Sequence, residues 1–361
     1  MDMFKDNKKT GKRRSLFLLS VCLALIFTLS AISAVSVSAT GNKRDYSRDE
    51  VYLGGMPFGL KFSTDGVTVI GFSDIDGLSK TQNPAYLAGL RAKDVILKVD
   101  GEEIKSATQL TQRVEASGGR EMRITYRRGE KETTVGLTPV YSASESRYKT
   151  GMWVKDSGAG IGTVTYILPE EHSFGGLGHG ICDGETGELI KMSRGDVMGV
   201  NVYAVKKGVS GAPGELKGHF CTECIGELYT NTDCGVFGHF SVLPEDCSEK
   251  VMIGTRDVMH EGDAEIVCTL SDGARARYKI EISAINRSAE GSKCFVIKVK
   301  DDALIEKTGG IVQGMSGSPV LQDGKLVGAV THVMINDPTV GYGIFIENML
   351  NAAQMPMARA S

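Results

Sequence analysis

The sequence predicts a mainly β protein with two folded domains behind an N-terminal apolar segment. Its 361 residues exceed a typical single domain, and 41% hydrophobic with 24% charged residues are the proportions of a globular chain. Glycine is unusually frequent, with 45 residues against nine prolines, which indicates many tight turns between short strands. The formal net charge of −3 gives no electrostatic reason to expect nucleic acid as a partner.

The first 39 residues predict export across a membrane. Residues 1–14 form a basic tail that we expect to stay in the cytoplasm, and residues 15–39 are 25 uncharged residues. A membrane-crossing helix needs about 20 apolar residues, and the positive flank directs the rest of the chain outwards. Val37-Ser38-Ala39 also suits signal cleavage, so this segment is either a retained anchor or a cleaved signal peptide.

Residues 50–140, after a polar linker at 40–49, carry the pattern of a small domain. Residues 67–72 and 94–100 predict strands, and the second strand leads into an Asp100-Gly101 turn. Residues 83–90 and 106–114 predict short helices, the second with a serine as its N-cap.

The order of these elements, with the run AGLRAKDVILKVDGEEI, resembles a bacterial-type PDZ domain. The resemblance implies a loop whose backbone N–H groups bind the terminal carboxylate of a peptide added to the sheet edge. The residues of this expected loop are Gly55, Met56, Phe58, Gly59 and Leu60. The alternative is a spacer domain whose groove is unused.

Residues 145–352 predict a second β domain, after a polar linker at 141–149 and before a short tail at 353–361. Short apolar strands separated by glycines, at 162–168, 197–205, 251–253, 278–284 and 294–299, are typical of a barrel or sandwich. Asp323-Gly324 predicts a two-residue hairpin turn, and residues 346–354 predict a C-terminal helix.

Residues 310–319, with the sequence GIVQGMSGSP, predict a serine nucleophile on a tight turn. Glycines let a backbone approach closely, and the N–H groups of Gly314 and Ser316 are natural donors to an oxyanion. Ser318 is the alternative nucleophile, but it precedes Pro319 and should already enter the following strand.

A serine hydroxyl is a weak nucleophile without an adjacent base. His179 lies in the glycine-rich run FGGLGHGICD, where a turn leaves its ring free to face a cleft, and it is the expected base. His332, on the strand that follows the serine, is the alternative base.

These runs together resemble the stage IV sporulation protein B peptidase family. The motifs are GHGICD at 178–183, CGVFGH at 234–239 and EKTGGIVQGMSGSPV at 306–320, followed by GAVTHV and NDPTVGYGIFIE. The resemblance implies a chymotrypsin-like double β-barrel serine peptidase with His179 as general base, Asp301 as the orienting acid and Ser316 as nucleophile. Asp302 and Asp183 stay alternatives, because chymotrypsin-like enzymes generally place this acid further upstream of the serine.

The resemblance also implies a place in sporulation signalling. Such a peptidase works in the space between the forespore and mother-cell membranes and cuts an extracytoplasmic part of a membrane-bound regulatory protein. That cut triggers activation of the late mother-cell sigma factor at the sigma-K checkpoint. Self-cleavage in trans is also implied, and the polar linker between Ala39 and Val51 is the expected site. The alternatives are a catalytically silent PDZ scaffold and a general extracytoplasmic quality-control protease.

Seven cysteines follow the apolar segment, an odd number that does not suit a small disulfide-stapled fold. Cys221 and Cys224 form a CxxC run that leaves a metal site or a disulfide open beside the simpler possibility of buried thiols. The chain has no HExxH-type motif, and we expect neither a catalytic metal nor a cofactor.

Overall fold

The computed structural model describes residues 46–77, 81–184, 187–244 and 247–354. The basic tail at 1–14, the apolar segment at 15–39 and most of the tail at 353–361 lie outside the described residues. Within the described ranges, none of the helices has the length and apolar character needed to cross a membrane.

The described chain is built from strands and a few short helices. The strands before residue 170 are β1 (Glu50–Leu53), β2 (Pro57–Phe72), β3 (Ile75–Asp76), β4 (Thr81–Gln82), β5 (Val95–Val99), β6 (Glu102–Glu103), β7 (Met122–Arg128), β8 (Lys131–Leu137), β9 (Val140–Ser142), β10 (Arg147–Lys149) and β11 (Met152–Ile167). The later strands are β12 (Ser173–Gly176), β13 (Met192–Lys206), β14 (Glu215–Thr232), β15 (Gly235–Phe240), β16 (Lys250–Met252), β17 (Gly262–Thr269), β18 (Arg275–Ile285), β19 (Phe295–Val299), β20 (Pro319–Gln322), β21 (Lys325–Met334) and β22 (Asp337–Phe345). The helices are α1 (Pro84–Leu87), α2 (Ala107–Ala116), α3 (Asp302–Thr308) and α4 (Ile346–Ala353).

Two circuits of strands form the larger part of the molecule. Strands β17, β18, β19, β22, β21 and β20 close into a six-stranded barrel, here called the second barrel. Strands β2, β11, β12, β15, β14 and β13 form another circuit, the first barrel, which is closed by the pairing of β11 with β2. The double-barrel prediction is confirmed, and side chains such as Phe174 in the first barrel and Phe295 in the second are fully buried.

Strand β2 belongs to two parts of the fold. Its first half, from Pro57 to Ser63, lies between β11 and β13 in the first barrel. Its second half starts at Val67, after Gly66, and pairs with β5 of the PDZ region. The predicted boundary at residue 50 is therefore corrected, because the chain contributes β2 to the first barrel before it enters the PDZ domain, and the other strands of that barrel follow the PDZ domain.

The PDZ region has the helices and turns that the sequence predicts. Ser106 caps α2 by accepting a hydrogen bond from the N–H of Gln109, at 3.1 Å. Leu110 and Val114, four residues apart on α2, are buried in the core of this domain. Asp100 and Gly101 both have positive φ, as a two-residue hairpin turn requires.

Both predicted linkers carry ordered structure within the described residues. Tyr46 is 2% exposed, and its hydroxyl donates a 2.9 Å hydrogen bond to Oδ1 of Asn351. Strand β1 pairs with β11 on one side and β16 on the other. The second linker forms the β9–β10 hairpin, whose Tyr148 packs against the PDZ core. A few aromatic and apolar side chains suffice to anchor these otherwise polar stretches.

Candidate active site

The predicted nucleophile lies on a tight loop between α3 and β20. Loop 314–318 has two glycines with positive φ, Gly314 at +98° and Gly317 at +95°. A Cβ atom on Gly317 would lie 1.9 Å from the carbonyl oxygen of Thr163, so only glycine fits there. The loop therefore lies directly on β11, and Ser316 sits where the two barrels meet.

Two threonine side chains of β11 hold this loop. Oγ1 of Thr163 donates to the carbonyl of Gly314, and Oγ1 of Thr165 donates to the carbonyl of Gly317, both at 2.7 Å. The N–H of Thr163 also donates to the carbonyl of Ser316, at 2.9 Å. Both threonines are buried and lie two residues apart, which places them on one face of the strand.

The backbone of the loop presents two N–H groups. The carbonyls of Gln313 and Met315 accept backbone hydrogen bonds of 2.8 and 2.9 Å. The N–H of a trans peptide points away from its carbonyl, so the N–H of Gly314 points away from Leu216 on β14, and the N–H of Ser316 points away from the N–H of Ser318. Neither N–H donates a hydrogen bond within the part of the chain that the structure describes. Both N–H groups are therefore available to a substrate oxygen, and their role as oxyanion donors stays a prediction.

The half-buried Ser316 donates its hydroxyl proton to the carbonyl of Thr331, at 2.8 Å. Thr331 is the unpaired residue where the register of β21 with β22 shifts between Val330 and His332. Such a bulge directs a backbone group out of the ladder. Ser318, the alternative nucleophile, is fully buried, and its hydroxyl has no hydrogen-bond partner among the described residues.

The loop that carries His179 lies against the serine loop. A Cβ atom on Gly317 would lie 2.5 Å from the backbone nitrogen of Leu177, and one on Gly178 would lie 2.9 Å from Cγ2 of Thr331. His179 directly follows Gly178, and Ser316 bonds to Thr331. The fold therefore brings the two predicted catalytic loops together, although the Ser316 hydroxyl points to Thr331 and not to the imidazole.

The hydrogen bond of His179 defines its tautomer. Nδ1 lies 2.9 Å from the carbonyl oxygen of Gly180, which can only accept a hydrogen bond. Nδ1 therefore carries the proton, and Nε2 keeps its lone pair. Burial lowers the pKa of His179 below its usual value, which keeps the ring neutral near pH 7. A neutral imidazole with a free Nε2 can accept the proton of a serine.

The carboxylate of Asp301, the predicted acid, caps α3. Its Oδ1 accepts from the N–H of Leu304 at 3.1 Å, and its Oδ2 accepts from the N–H of Lys279 at 3.2 Å. No carboxylate of the described residues is among the groups that shift the pKa of His179. In this structure the carbonyl of Gly180 fixes the tautomer, and a catalytic role for Asp301 stays a prediction.

The remaining candidates for the triad lie in different parts of the fold. Asp302 is exposed on α3, and Asp183 lines a cavity of about 330 Å³ beside the PDZ domain.

His332, the alternative base, is at the site, with its ring centroid 4.9 Å from that of His179. Burial, together with the charges of His179 and Lys293, lowers the pKa of His332 to about 4. The loop position of His179 beside the serine loop and its free Nε2 favour His179 for proton transfer.

Comparison with known families decides the class of this site. Residues 146–350 match the SpoIVB peptidase S55 family, and this match spans more than half of the chain. The chain belongs to the SpoIVB peptidase S55 family. It is a serine endopeptidase with a chymotrypsin-like protease fold. Residues 79–128 of this S55 peptidase match a PDZ domain family.

Solved structures with similarity to the S55 peptidase include PDZ domains and proteases. The PDZ domain of an SdrC-like protein from Listeria monocytogenes is 22% identical, with 25% of this chain and 87% of that chain covered and a TM-score of 0.21. The inactive form of the Rv3671c protease from M. tuberculosis is 13% identical, with 53% and 81% covered and a TM-score of 0.31. The HtrA-type protease AlgW with a tripeptide is 13% identical, with 54% and 55% covered and a TM-score of 0.33. No curated protein matches the sequence.

The structure of the S55 peptidase corrects the position of the expected PDZ carboxylate loop. The residues concerned are Gly55, Met56, Phe58, Gly59 and Leu60. The N–H of Gly55 donates to the carbonyl of Val164, and strand β2 pairs on both edges from residue 59 to residue 63. Phe58 and Leu60 are buried in the first barrel. A strand paired on both edges has no free N–H groups for a peptide carboxylate.

The cysteines of the described S55 peptidase form no disulfide bonds with one another. They are Cys182, Cys221, Cys224, Cys234, Cys247, Cys268 and Cys294. Cys221 and Cys224 both lie on β14, and their CxxC run is part of a long strand. Across the described ranges, no three or more His, Cys, Asp or Glu side chains are grouped so that they could hold a metal ion.

The residues that hold the catalytic loops of the S55 peptidase escape prediction from the sequence. Thr163 and Thr165 look like ordinary strand residues, since threonine is common in strands. The sequence feature that could have marked them is a pair of threonines, two residues apart, in an otherwise apolar and buried strand end. Thr331 and Gly180 act through backbone carbonyls, which no side-chain motif marks.

Proposed function

We propose that Ser316 is the nucleophile, His179 the general base and the N–H groups of Gly314 and Ser316 the oxyanion donors. The observation that carries this proposal is the contact between the serine loop and the His179 loop, with both N–H groups unpaired among the described residues. The tautomer of His179 supports the same assignment, because it leaves Nε2 as the free nitrogen.

The reaction begins when the Ser316 hydroxyl leaves the carbonyl of Thr331 and turns to Nε2 of His179. Nε2 takes the hydroxyl proton as the serine oxygen attacks the peptide carbonyl, and the oxyanion moves towards the two N–H groups. The imidazolium then protonates the leaving amine, and the acyl-enzyme remains. Water, deprotonated by His179, hydrolyses this ester and restores the free serine.

A pair of serine variants tests the assignment. Ser316→Ala is expected to lose all labelling by a fluorophosphonate probe and all proteolysis, because it removes the oxygen that would form the covalent bond. Ser318→Ala is the matched control: it changes a buried serine two residues away and should keep both activities. Labelling that survives in Ser316→Ala, at the parent rate, would refute the assignment.

We also propose that this endopeptidase works in sporulation signalling, in the space between the forespore and mother-cell membranes. Its substrate there is an extracytoplasmic part of a membrane-bound regulatory protein, and the cut activates the late mother-cell sigma factor. Membership of the SpoIVB peptidase S55 family supports this role. The uncharged segment at 15–39, as anchor or signal peptide, supports the location.

Self-cleavage is part of the same proposal. Tyr46 and Val51 hold the end of the expected linker between Ala39 and Val51, because both side chains are buried, while Ser47 and Arg48 between them are exposed. Cleavage of packed, paired backbone requires local unfolding. We therefore propose that the cut falls at residues 40–45, which lie outside the described residues. Such a cut separates the peptidase from the segment at 15–39.

The PDZ region offers a different groove from the expected one. A cavity of about 550 Å³ lies between α2 and the first residues of β11 and is lined by Leu110, Val114 and Val154, among others. Within the described chain, the start of β11 pairs with β2 along one edge. We propose that an extended peptide of a partner adds to the other edge, with apolar side chains towards α2.

Digestion experiments separate signalling from quality control. The full chain is incubated with full-length Ser316→Ala protein as substrate, and separately with an unfolded protein. A single cut upstream of Tyr46, found by mass spectrometry, supports a signalling peptidase that acts on itself in trans. Broad digestion of the unfolded protein with no cut in the Ser316→Ala chain would overturn the signalling proposal and favour quality control.

A further inference from the structure

His332 places a second imidazole beside the general base, and no step of the proposed reaction uses it. The ring centroids of His332 and His179 are 4.9 Å apart, and the ring planes are inclined by 39°. The preceding residue, Thr331, holds the Ser316 hydroxyl. Consecutive residues of β21 therefore contact the nucleophile and pack against the base.

The side chain of His332 contains an unexplained polar atom. Its Nδ1 is buried and has no hydrogen-bond partner in the part of the chain that the structure describes. A buried nitrogen without a partner lowers stability, and an apolar ring of similar shape would avoid this cost. Since this nitrogen holds no partner among the described residues, the contact that the structure gives the His332 side chain at the site is that of its ring with His179.

The electrostatic surroundings keep this second ring neutral. The titratable and charged groups that act on His332 are His179 and Lys293, and the Lys293 ammonium lies 5.3 Å from the ring centroid of Tyr342. With burial, they lower the pKa of His332 to about 4, so its ring is uncharged at neutral pH. When His179 takes a proton, its new charge faces a neutral aromatic ring rather than a second cation.

We propose that His332 is a positioning residue for the general base, whose ring supports the His179 imidazole while Nε2 receives the serine proton. This inference rests on the proposed role of His179. The proton moves from the Ser316 hydroxyl to Nε2 and later to the leaving amine, and His332 gains and loses nothing. Its function is to hold the plane of the neighbouring ring and to accommodate the imidazolium.

The rate of Ser316 labelling by a fluorophosphonate probe, measured on the full chain between about pH 4 and 8, tests this inference because His179 must be neutral to act. His332→Ala is expected to lower the rate about tenfold, and His332→Phe is expected to lose less because it keeps an aromatic wall. His332→Asp places a carboxylate beside the imidazolium and should raise the pH of the acid limb by about one unit.

The controls separate positioning from structural support. His219, whose ring stacks on Tyr203 at 4.5 Å, provides a matched histidine, and His219→Asp should leave the acid limb in place. An unmoved acid limb in His332→Asp overturns the inference, even if His332→Ala labels slowly or fails to fold. Labelling of His179→Ala at the parent rate would refute His179 as the general base. This result is distinguishable from the failure of the inference on His332, which leaves the role of His179 intact.

Discussion

The hydroxyl of Ser316 donates a 2.8 Å hydrogen bond to the backbone carbonyl of Thr331, although the loop of the base lies against the serine loop. The proposed nucleophile is therefore bound to an acceptor that cannot take its proton. In the proposed mechanism, rotation about the Cα–Cβ bond of Ser316 exchanges this acceptor for Nε2 of His179.

The pH dependence of labelling should show an acid limb below the usual histidine pKa. Burial lowers the pKa of His179, and the base works only when it is neutral. The rate should therefore stay constant as the pH falls through about 6.5 and decline only when the pH reaches the lowered pKa. Fluorophosphonate labelling against pH measures this limb. A limb above about pH 7 would contradict burial as the dominant influence on His179.

Thr163→Val should reduce catalysis more than it reduces stability. The change removes the 2.7 Å hydrogen bond to the carbonyl of Gly314 and frees the peptide unit next to an oxyanion donor. We expect about a 10- to 100-fold loss of rate and a loss of about 1 kcal/mol in the free energy of unfolding. Labelling kinetics and chemical denaturation measure the two effects.

Thr165→Val is the matched control for that experiment. It removes an equally short bond, to the carbonyl of Gly317, whose own N–H remains bonded to Val330. Its stability loss should be similar and its rate loss smaller. Equal rate losses in the two variants would show that both hydroxyls stabilise the loop as a whole. The hydroxyl of Thr163 would then have no specific role in positioning the N–H group of Gly314.

Substitutions at Asp301 distinguish a helix cap from a catalytic acid. Asparagine caps helices nearly as well as aspartate, so Asp301→Asn should keep most of the activity if the carboxylate acts as the cap seen here. Asp301→Ala should lower the free energy of unfolding by about 1 kcal/mol. A loss of activity of about 10⁴-fold in Asp301→Asn, with normal stability, would instead make Asp301 the orienting acid.

Thr111→Trp should block the groove between α2 and β11. Thr111 is an exposed residue of α2 that lines this cavity, and an indole there would fill much of its volume. Binding of a peptide library, read by fluorescence anisotropy, should be lost while fluorophosphonate labelling persists. Gln112→Trp is the control, because Gln112 is exposed on the same helix but does not line the cavity. Binding that survives Thr111→Trp would move the peptide site elsewhere.

The sequence predicts the site where its signal is local. The glycines around Ser316 and His179 allow tight turns and close backbone contacts within each loop. Both loops can therefore be recognised from their own short stretch of sequence. The role of Thr163 depends on a carbonyl 151 residues away, which no local pattern shows. The alternation of Phe58 and Leu60 fits a PDZ strand and a barrel strand equally well, since both need one buried face. Only the pairing partners distinguish them.

The double use of strand β2 limits how this enzyme can be divided or recombined. A recombinant fragment that starts at residue 146 would lack strand β2 of the first barrel. An isolated PDZ fragment that includes β2 would expose the apolar first half of this strand without its pairing partners. Exchange of a whole domain works for proteins whose domains are joined only by a linker. In this enzyme, the exchange of either domain would cut strand β2 and remove half of it from the other domain. Chimeras of this enzyme therefore need their crossover points outside residues 57–72.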